Sequence, residues 1–431
     1  MAEQRKKTLR KYVIPAMLTN ACYFLFVIVD GLFVGNGVGD TALGAVNIAL
    51  PFTNVVFAIG MLTSSGGAVL SAISFGERRP DEANKYFHHS FLLALIISSI
   101  VTVVGTVFTR PVVLLLGTDR AHLALTEEYV FWWSLFAIPI MLSFNLQGFC
   151  RNDGSPALVA AATVISTAVN IFLDWLFVFP WQMGVMGAAI ATGIASTVNF
   201  LVVLVHFVFK KGQLRFGRLK FSFKAIVSID YCGFPEMIAQ FATPLMTIFM
   251  NQMISLYLPS YALDVFAVIS YAASISIAIM FGTAEGLQPL FGRSFGAGEK
   301  DDLHFYLKRG LIICLVGSAI CVLGANVFAR PIALLFGGDE QIVQGVVRCM
   351  PQHSWAFVLV GVNTLISGYL YSTKNTKFAI FMNIMRSFIV SILCIVGLTS
   401  LLGAAIIWYT FGISEAIILA IGILLMRKAN K

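Results

Sequence analysis

The chain says the same thing twice at a constant offset of 220 residues. Ser74-Phe75-Gly76 recurs as Ser294-Phe295-Gly296, and Arg110-Pro111 recurs as Arg330-Pro331. Leu114-Leu115-Leu116-Gly117-Thr118-Asp119 returns as Leu334-Leu335-Phe336-Gly337-Gly338-Asp339, and Gly148 returns as Gly368, with no gap needed. Both copies consist of long apolar runs. A soluble repeat array could not be built from such runs, so the pattern specifies a duplicated membrane bundle. Repeats of this size are how secondary transporters build two halves that rock against one another.

Composition agrees with a membrane setting. The chain is 58% hydrophobic and only 12% charged, about half the usual charged share. A soluble chain of 431 residues would split into domains with charged exteriors. The net charge of +8 could suggest nucleic acid, but the basic residues fall in short clusters between apolar runs, without an aromatic-basic recognition module. The seven cysteines lie mostly inside apolar runs and lack metal-ligand spacing, so they read as small apolar fillers. No cofactor is implied.

A helix that crosses the bilayer needs about 20 mostly apolar residues. By that measure the sequence predicts an all-α membrane protein with twelve transmembrane helices, near 12–34, 42–73, 87–109, 127–150, 157–179, 185–209, 225–257, 262–291, 309–329, 345–371, 378–400 and 403–426. The first run is too long for a signal peptide and lacks a cleavage site. Residues 1–209 form an amino-terminal six-helix lobe and 225–431 a carboxy-terminal one, joined by a basic linker over 210–224. That linker carries six Lys/Arg and no acid, and reads as a topology signal lying on anionic headgroups.

Charge sets the orientation. The two termini and the loops after even-numbered helices hold 24 of the 29 Lys/Arg, whereas the loops after odd-numbered helices hold only Arg110, Arg120 and Arg330. The positive-inside rule then places both termini in the cytoplasm of a cell membrane protein. Six helices per half is an even number, so the two repeats are parallel, with the transport path expected between them.

Charges at bilayer depth are costly, and each is a functional candidate. Asp30 lies near the end of the first helix and Asp174 within the fifth; Asn170 precedes Asp174 by four residues and shares its helical face. Thr192 adds a hydroxyl from the sixth helix, and Asn145 and Gln147 lie near the end of the fourth. Two carboxylates together in a medium of low dielectric retain a proton or bind a cation between them. Carboxylate, amide and hydroxyl oxygens suit a hard cation, with Na⁺ the metal ion in question, or a proton relay. An alternative for Asp30 is a helix end near the headgroups. In the second half, Glu285, Arg386 and Glu415 fall within spans, together with His353 and Asn363. Arg386 either pairs with Glu285 or Glu415 to staple helices or contacts substrate or ion. Pro15 stands about four turns before Asp30 in one helix and can bend it. The 37 Phe and 15 Met offer surfaces that accept varied apolar cations.

Asp30-Gly31-Leu32-Phe33-Val34-Gly35, Ala42-Leu43-Gly44-Ala45-Val46-Asn47, Asn170-Ile171-Phe172-Leu173-Asp174, Gly184-Val185-Met186-Gly187, Gly233-Phe234-Pro235 and Gly286-Leu287-Gln288-Pro289 are spread along the chain. In these the sequence resembles the multidrug and toxic compound extrusion (MATE) transporters, in the branch of staphylococcal-type multidrug pumps and DinF-like proteins. The resemblance implies efflux of small organic, cationic or amphipathic compounds by a monomer in antiport with H⁺ or Na⁺. It also implies a cation site at Asp30, Asn170, Asp174 and Thr192, and a hinge at Pro15. The chain departs from relatives in lacking an acidic residue over 345–371, in carrying Glu285 where Gln is common, and in carrying Glu236. An alternative in the same superfamily is a lipid-linked oligosaccharide flippase, which would need a basic cavity for a pyrophosphate. An enzyme is disfavoured, because the six histidines have no catalytic spacing and the Gly35-x-Gly37-x-Gly39 run reads as a loop.

Overall fold

In lipid the backbone must satisfy its own hydrogen bonds, and helices do so within one segment. The computed structural model is accordingly built of helices joined by turns and loops, with no strand among the described residues, which are 2–118, 120–217, 221–336 and 338–429. The side chains of 2, 27, 32, 36, 40, 274 and 275 are not among those described. Asp119 and Gly337 of the repeated motifs, and 218–220 of the expected linker, lie outside the described residues.

The first half consists of α1 (Ala2–Gly37), α2 (Asp40–Gly76), α3 (Pro80–Val107), the short α4 (Thr109–Leu115), α5 (Leu123–Leu135), α6 (Ala137–Asn152), α7 (Pro156–Val178) and α8 (Gly184–Val208). The second half follows with α9 (Phe223–Ala239), α10 (Ala242–Tyr257), α11 (Tyr261–Gly296), α12 (Lys300–Val327), the short α13 (Ala329–Leu335), α14 (Glu340–Ser354) and α15 (Ala356–Ser372). Next, α16 (Thr376–Ile384) runs through two π-helical stretches, Met385–Val390 and Leu393–Leu398, into α17 (Thr399–Leu402), and α18 (Ile407–Ala429) ends the bundle. Gly35 and Gly37, expected in a loop, instead close α1; Gly39 alone, at φ 110°, makes the turn into α2.

Among the described residues, ten helical segments are long and apolar enough to cross a membrane, and α5 with α6, bent by 51°, makes an eleventh. The remaining expected span, 225–257, is divided into α9 of 17 residues and α10 of 16, each too short by itself. Pro235 inside α9 and Pro244 in the first turn of α10 flank that break.

Both halves break their fourth span on an aromatic residue set against a glycine. Phe136 separates α5 from α6, and a Cβ on Gly193 of α8 would collide with its ring. Trp355 separates α14 from α15, and Gly412 of α18 lies equally close to the Trp355 ring. The missing Cβ leaves room for the ring, so the bend is packed rather than loose.

By packing, the chain divides into one unit of residues 22–237 and another of 1–21 with 238–431. The amino-terminal part of α1 thus belongs with the second half. Glycines explain the attachment, since close approach of small residues is the main route to tight helix contact in lipid. Gly282 and Gly286 of α11 abut the backbone of α1, and a Cβ on Gly286 would stand 2.7 Å from Val13 Cα. Leu9, Tyr12 and Val13 join Leu287, Leu290, Phe291 and Tyr369 in one apolar cluster, and Arg5 pairs with Asp302. The other unit repeats the device 220 residues away: Gly66 of α2 abuts Ile229 O, and Gly233 of α9 abuts Leu62 O.

Replacing Gly286 with Leu should force α1 off α11 and lower stability by about 1–3 kcal/mol through overpacking. Gly324→Leu, where nothing lies within 4 Å of the added Cβ, should leave stability near wild type. Thermal unfolding in detergent compares the two; equal melting temperatures would refute the seam.

Candidate polar site in the first unit

The residues expected to form a cation site come from three helices of the unit 22–237. Asp30 lies on α1, Asn170 and Asp174 one turn apart on α7, and Thr192 on α8. Small residues bring α8 against α7: Gly187 is 2.9 Å from the Phe177 Cβ as measured from its absent Cβ, and Ser166 donates to Ala195 O at 2.8 Å. Asn170 and Asp174 are fully buried, Thr192 is buried and Asp30 is half-buried.

Six of their polar atoms are sequestered from solvent without a hydrogen bond of good geometry: Asp30 Oδ1, both Asn170 amide atoms, both Asp174 carboxylate oxygens and Thr192 Oγ1, Asn170 being the side chain close enough to Asp174 to act on its charge. Buried polar atoms are normally bonded, so an orphaned group needs a physical explanation. The structure sets Asp30 and Asp174 within electrostatic reach of each other, with Asn170 beside Asp174. Buried Tyr129 of α5 lies within reach of both carboxylates. Nothing in the sequence singled out this tyrosine, because in an apolar run it is indistinguishable from core. Carboxylate, amide and hydroxyl oxygens are donor types that suit a proton or a hard cation.

The further polar candidates make hydrogen bonds elsewhere, although Asn145 Oδ1, Asn363 Oδ1 and His353 Nδ1 are themselves buried without one of good geometry. Asn145 donates to Ser90 Oγ at 2.8 Å, and Gln147 donates to Asn199 Oδ1 at 3.2 Å. In the other unit, Glu285 accepts from Asn20 Nδ2 at 3.0 Å. Arg386 chooses Glu415 rather than Glu285: its Nε donates to Glu415 Oε1 at 2.9 Å and its Nη1 to Thr364 Oγ1 at 3.2 Å. Asn363 Nδ2 donates to Glu415 Oε2 at 2.8 Å and to its backbone carbonyl. Buried His353 sits among the rings of Phe266, Phe357 and Phe411. Pro15 lies inside α1, and Thr19 and Asn20 side chains donate to the carbonyls of Pro15 and Ala16.

The repeat does not copy the site. The positions 220 residues after Asp30, Asn170, Asp174 and Thr192 are Met250, Val390, Cys394 and Gly412, which offer no oxygen side chain. Conversely, Arg386 corresponds to Ser166, which joins α7 to α8 by one hydrogen bond to Ala195 O. The second half places an ion-paired guanidinium where the first has a hydroxyl.

A duplicated helical bundle with a buried polar cluster in one half defines a membrane transporter, not an enzyme. The MatE family model matches residues 15–176 and again 235–396, two segments related by the same 220-residue offset, and the chain belongs to that family. It is 24% identical to the multidrug export protein MepA of Staphylococcus saprophyticus over 394 residues, covering 89% of this chain and 85% of that protein. It is 23% identical to a FAD transporter of Shewanella oneidensis over 329 residues, covering 74% and 72%. A crystal structure of a MATE transporter in complex with MaL6 superposes with a TM-score of 0.93 at 20% identity, over 99% of this chain and 96% of that one. The fold is thus that of the two repeated six-helix lobes of MATE transporters.

Removing one member of a buried ion pair strands the other's charge, which costs about 3–5 kcal/mol. Arg386→Met should therefore destabilise the protein by that order, and Arg386→Met combined with Glu415→Leu should recover most of the loss. Thermal unfolding of the single and double variants checks this; additive losses would rule out the pair as a staple.

Proposed function

We propose that this MatE-family transporter is a secondary active exporter of small organic compounds, driven by antiport with H⁺ or Na⁺ and working by alternating access of its two lobes. The observation that carries the reading is the set of six buried polar atoms without a hydrogen bond of good geometry on Asp30, Asn170, Asp174 and Thr192. A proton on one carboxylate, or a Na⁺ among the oxygens, gives those atoms the partner that the protein withholds. Coupling follows if the occupied and empty sites favour different arrangements of the helices that build them, and α1, which passes from one compact unit to the other at Ala21/Cys22, is the helix through which that difference would spread. Pro15 lies six residues before that crossing and is the hinge in this reading.

The relative named as a multidrug export protein supports amphipathic or cationic organic substrates. The relative named as a FAD transporter raises a second reading, a phosphate-bearing dinucleotide. Recognition of phosphates calls for free cationic donors. Arg386 is already engaged by Glu415 and Thr364, which favours the first reading and also weighs against a flippase for pyrophosphate-linked lipids. The protein works as a monomer in the cell membrane, with lobes 1–209 and 225–431, the 210–224 linker and both termini on the cytoplasmic side.

Efflux of cationic dyes from proteoliposomes with an imposed pH or Na⁺ gradient tests the coupling. Asp174→Asn keeps the shape and removes the charge, so gradient-driven efflux should fall to the level of empty vesicles while expression holds; Asp30→Asn should lose most of it. Near-normal transport by Asp174→Asn would reduce the site to a structural polar cluster. For topology, single cysteines at Lys211 and Arg120 in a background free of native cysteines should label from the inside and the outside respectively. The reverse pattern would overturn the assigned orientation.

A further inference from the structure

The segment joining the two repeats is fastened to the unit 22–237 along most of its length. Asp153, after α6, is buried with His206 of α8, whose Nε2 lies 2.9 Å from Asp153 Oδ2. The same carboxylate accepts the backbone N–H of Gln213 at 2.7 Å and of Leu214 at 3.1 Å, and Gly212 packs so closely that a Cβ would collide with it. From α3, Asn84 accepts the N–H of Arg215 at 2.8 Å and donates to Gln213 O at 3.3 Å. His89 holds Lys85 O on Nδ1 and the N–H of Ser222 on Nε2, each at 2.8 Å, while Gly217 N–H meets His88 Nε2 at 3.1 Å. Leu214 is fully buried, and the Phe216 ring packs against Phe87 and Phe91.

With its backbone committed inward, the segment turns a different set of side chains outward. Lys210, Lys211, Arg215 and Lys224 are exposed, and so are Phe209 and Phe223, at 70% and 71%. No Asp or Glu occurs from 209 to 229. The adjoining start of α3 adds no net charge, because Glu77, Asp81 and Glu82 balance Arg78, Arg79 and Lys85, with Arg79–Glu77 and Lys85–Glu82 paired.

We propose that this docked strap is a binding surface for anionic phospholipid, with Lys210, Lys211, Arg215 and Lys224 on the headgroup phosphates and Phe209 and Phe223 at the level of the interface. Exposed aromatics alternating with cations suit a membrane surface. A soluble anion would instead be served by converging backbone donors, and those of Gln213, Leu214, Arg215 and Ser222 are consumed by Asp153, Asn84 and His89. Fastening gives the surface fixed spacing, which a loose basic loop would lack. The role is independent of the transported substrate.

Native mass spectrometry of the full-length protein with equimolar phosphatidylglycerol and phosphatidylcholine tests it. The wild type should retain phosphatidylglycerol preferentially, and Lys210→Gln/Lys211→Gln/Arg215→Gln should lose that preference by at least about tenfold, since each cation near an anionic surface contributes comparably. Asn84→Ala/His89→Ala keeps every Lys and Arg but removes the strap's bonds to α3 at Arg215, Gln213 and Ser222, and it should also lose most of the preference. Size-exclusion profiles confirm that the variants are folded. Unchanged preference in the triple variant would overturn the proposal, and unchanged preference in the unfastened variant would reduce the strap to a loose charge tether. Competition by inorganic phosphate alone to the same extent as by phosphatidylglycerol would overturn the lipid assignment in favour of an anion site.

Discussion

A bilayer supplies no water to a polar group, and that absence governs this molecule at every scale. Backbone groups close their hydrogen bonds inside helices because nothing else would take them. Side chains follow the same logic: Thr and Ser bond the carbonyl a turn back, as Thr19 does with Pro15, and Arg386 and Asn363 donate to the two carboxylate oxygens of Glu415 while Thr364 accepts from Arg386. Buried polar atoms without a hydrogen bond of good geometry occur in both halves, Asn363 Oδ1 among them, but among the described residues only in the first half do two carboxylates, Asp30 and Asp174, lie within electrostatic reach of each other with such atoms on both.

Apolar helices gain little from hiding apolar surface when lipid is equally apolar, so contact in this setting comes from shape. Glycine supplies the shape. The α1–α11 seam rests on Gly282 and Gly286, the α2–α9 seam on Gly66 and Gly233, and the bends at Phe136 and Trp355 on Gly193 and Gly412. These seams decide which part of each helix belongs to which compact unit, and so where along α1 and α9 the chain crosses from one to the other.

Duplication has been followed by divergence of chemistry on a shared frame. The short helices α4 and α13 keep their places, and each supplies an arginine to an ion pair, Arg110 with Glu127 and Arg330 with Glu340. The interior differs. Where the first half has Ser166 bonded to Ala195 O, the second has Arg386 bonded to Glu415; where the first has Asp174, the second has Cys394. The second half thus meets its buried carboxylate with a tethered guanidinium, and the first has no cationic side chain at the equivalent place.

Much was legible in one dimension. The 220-residue offset and the length of the apolar runs required a duplicated helical membrane bundle, because continuous apolar runs of about 20 residues span lipid as helices, whereas barrel strands are about half as long and alternate. The four-residue spacing of Asn170 and Asp174 put both on one face of α7, since helical geometry alone fixes that relation. What lies across helices was decided only by tertiary packing. Sequence left Arg386 between two carboxylates, and proximity selected Glu415 while Asn20 took a place on Glu285. Tyr129 joined the acidic cluster although its neighbours in the chain are those of any core residue. The expected seventh span came out as α9 and α10, and residues 1–21 went with the second half. In each case the deciding quantity is the distance between side chains far apart in sequence. That distance depends on where glycines let two helices touch, which a pattern read along a single helix does not contain.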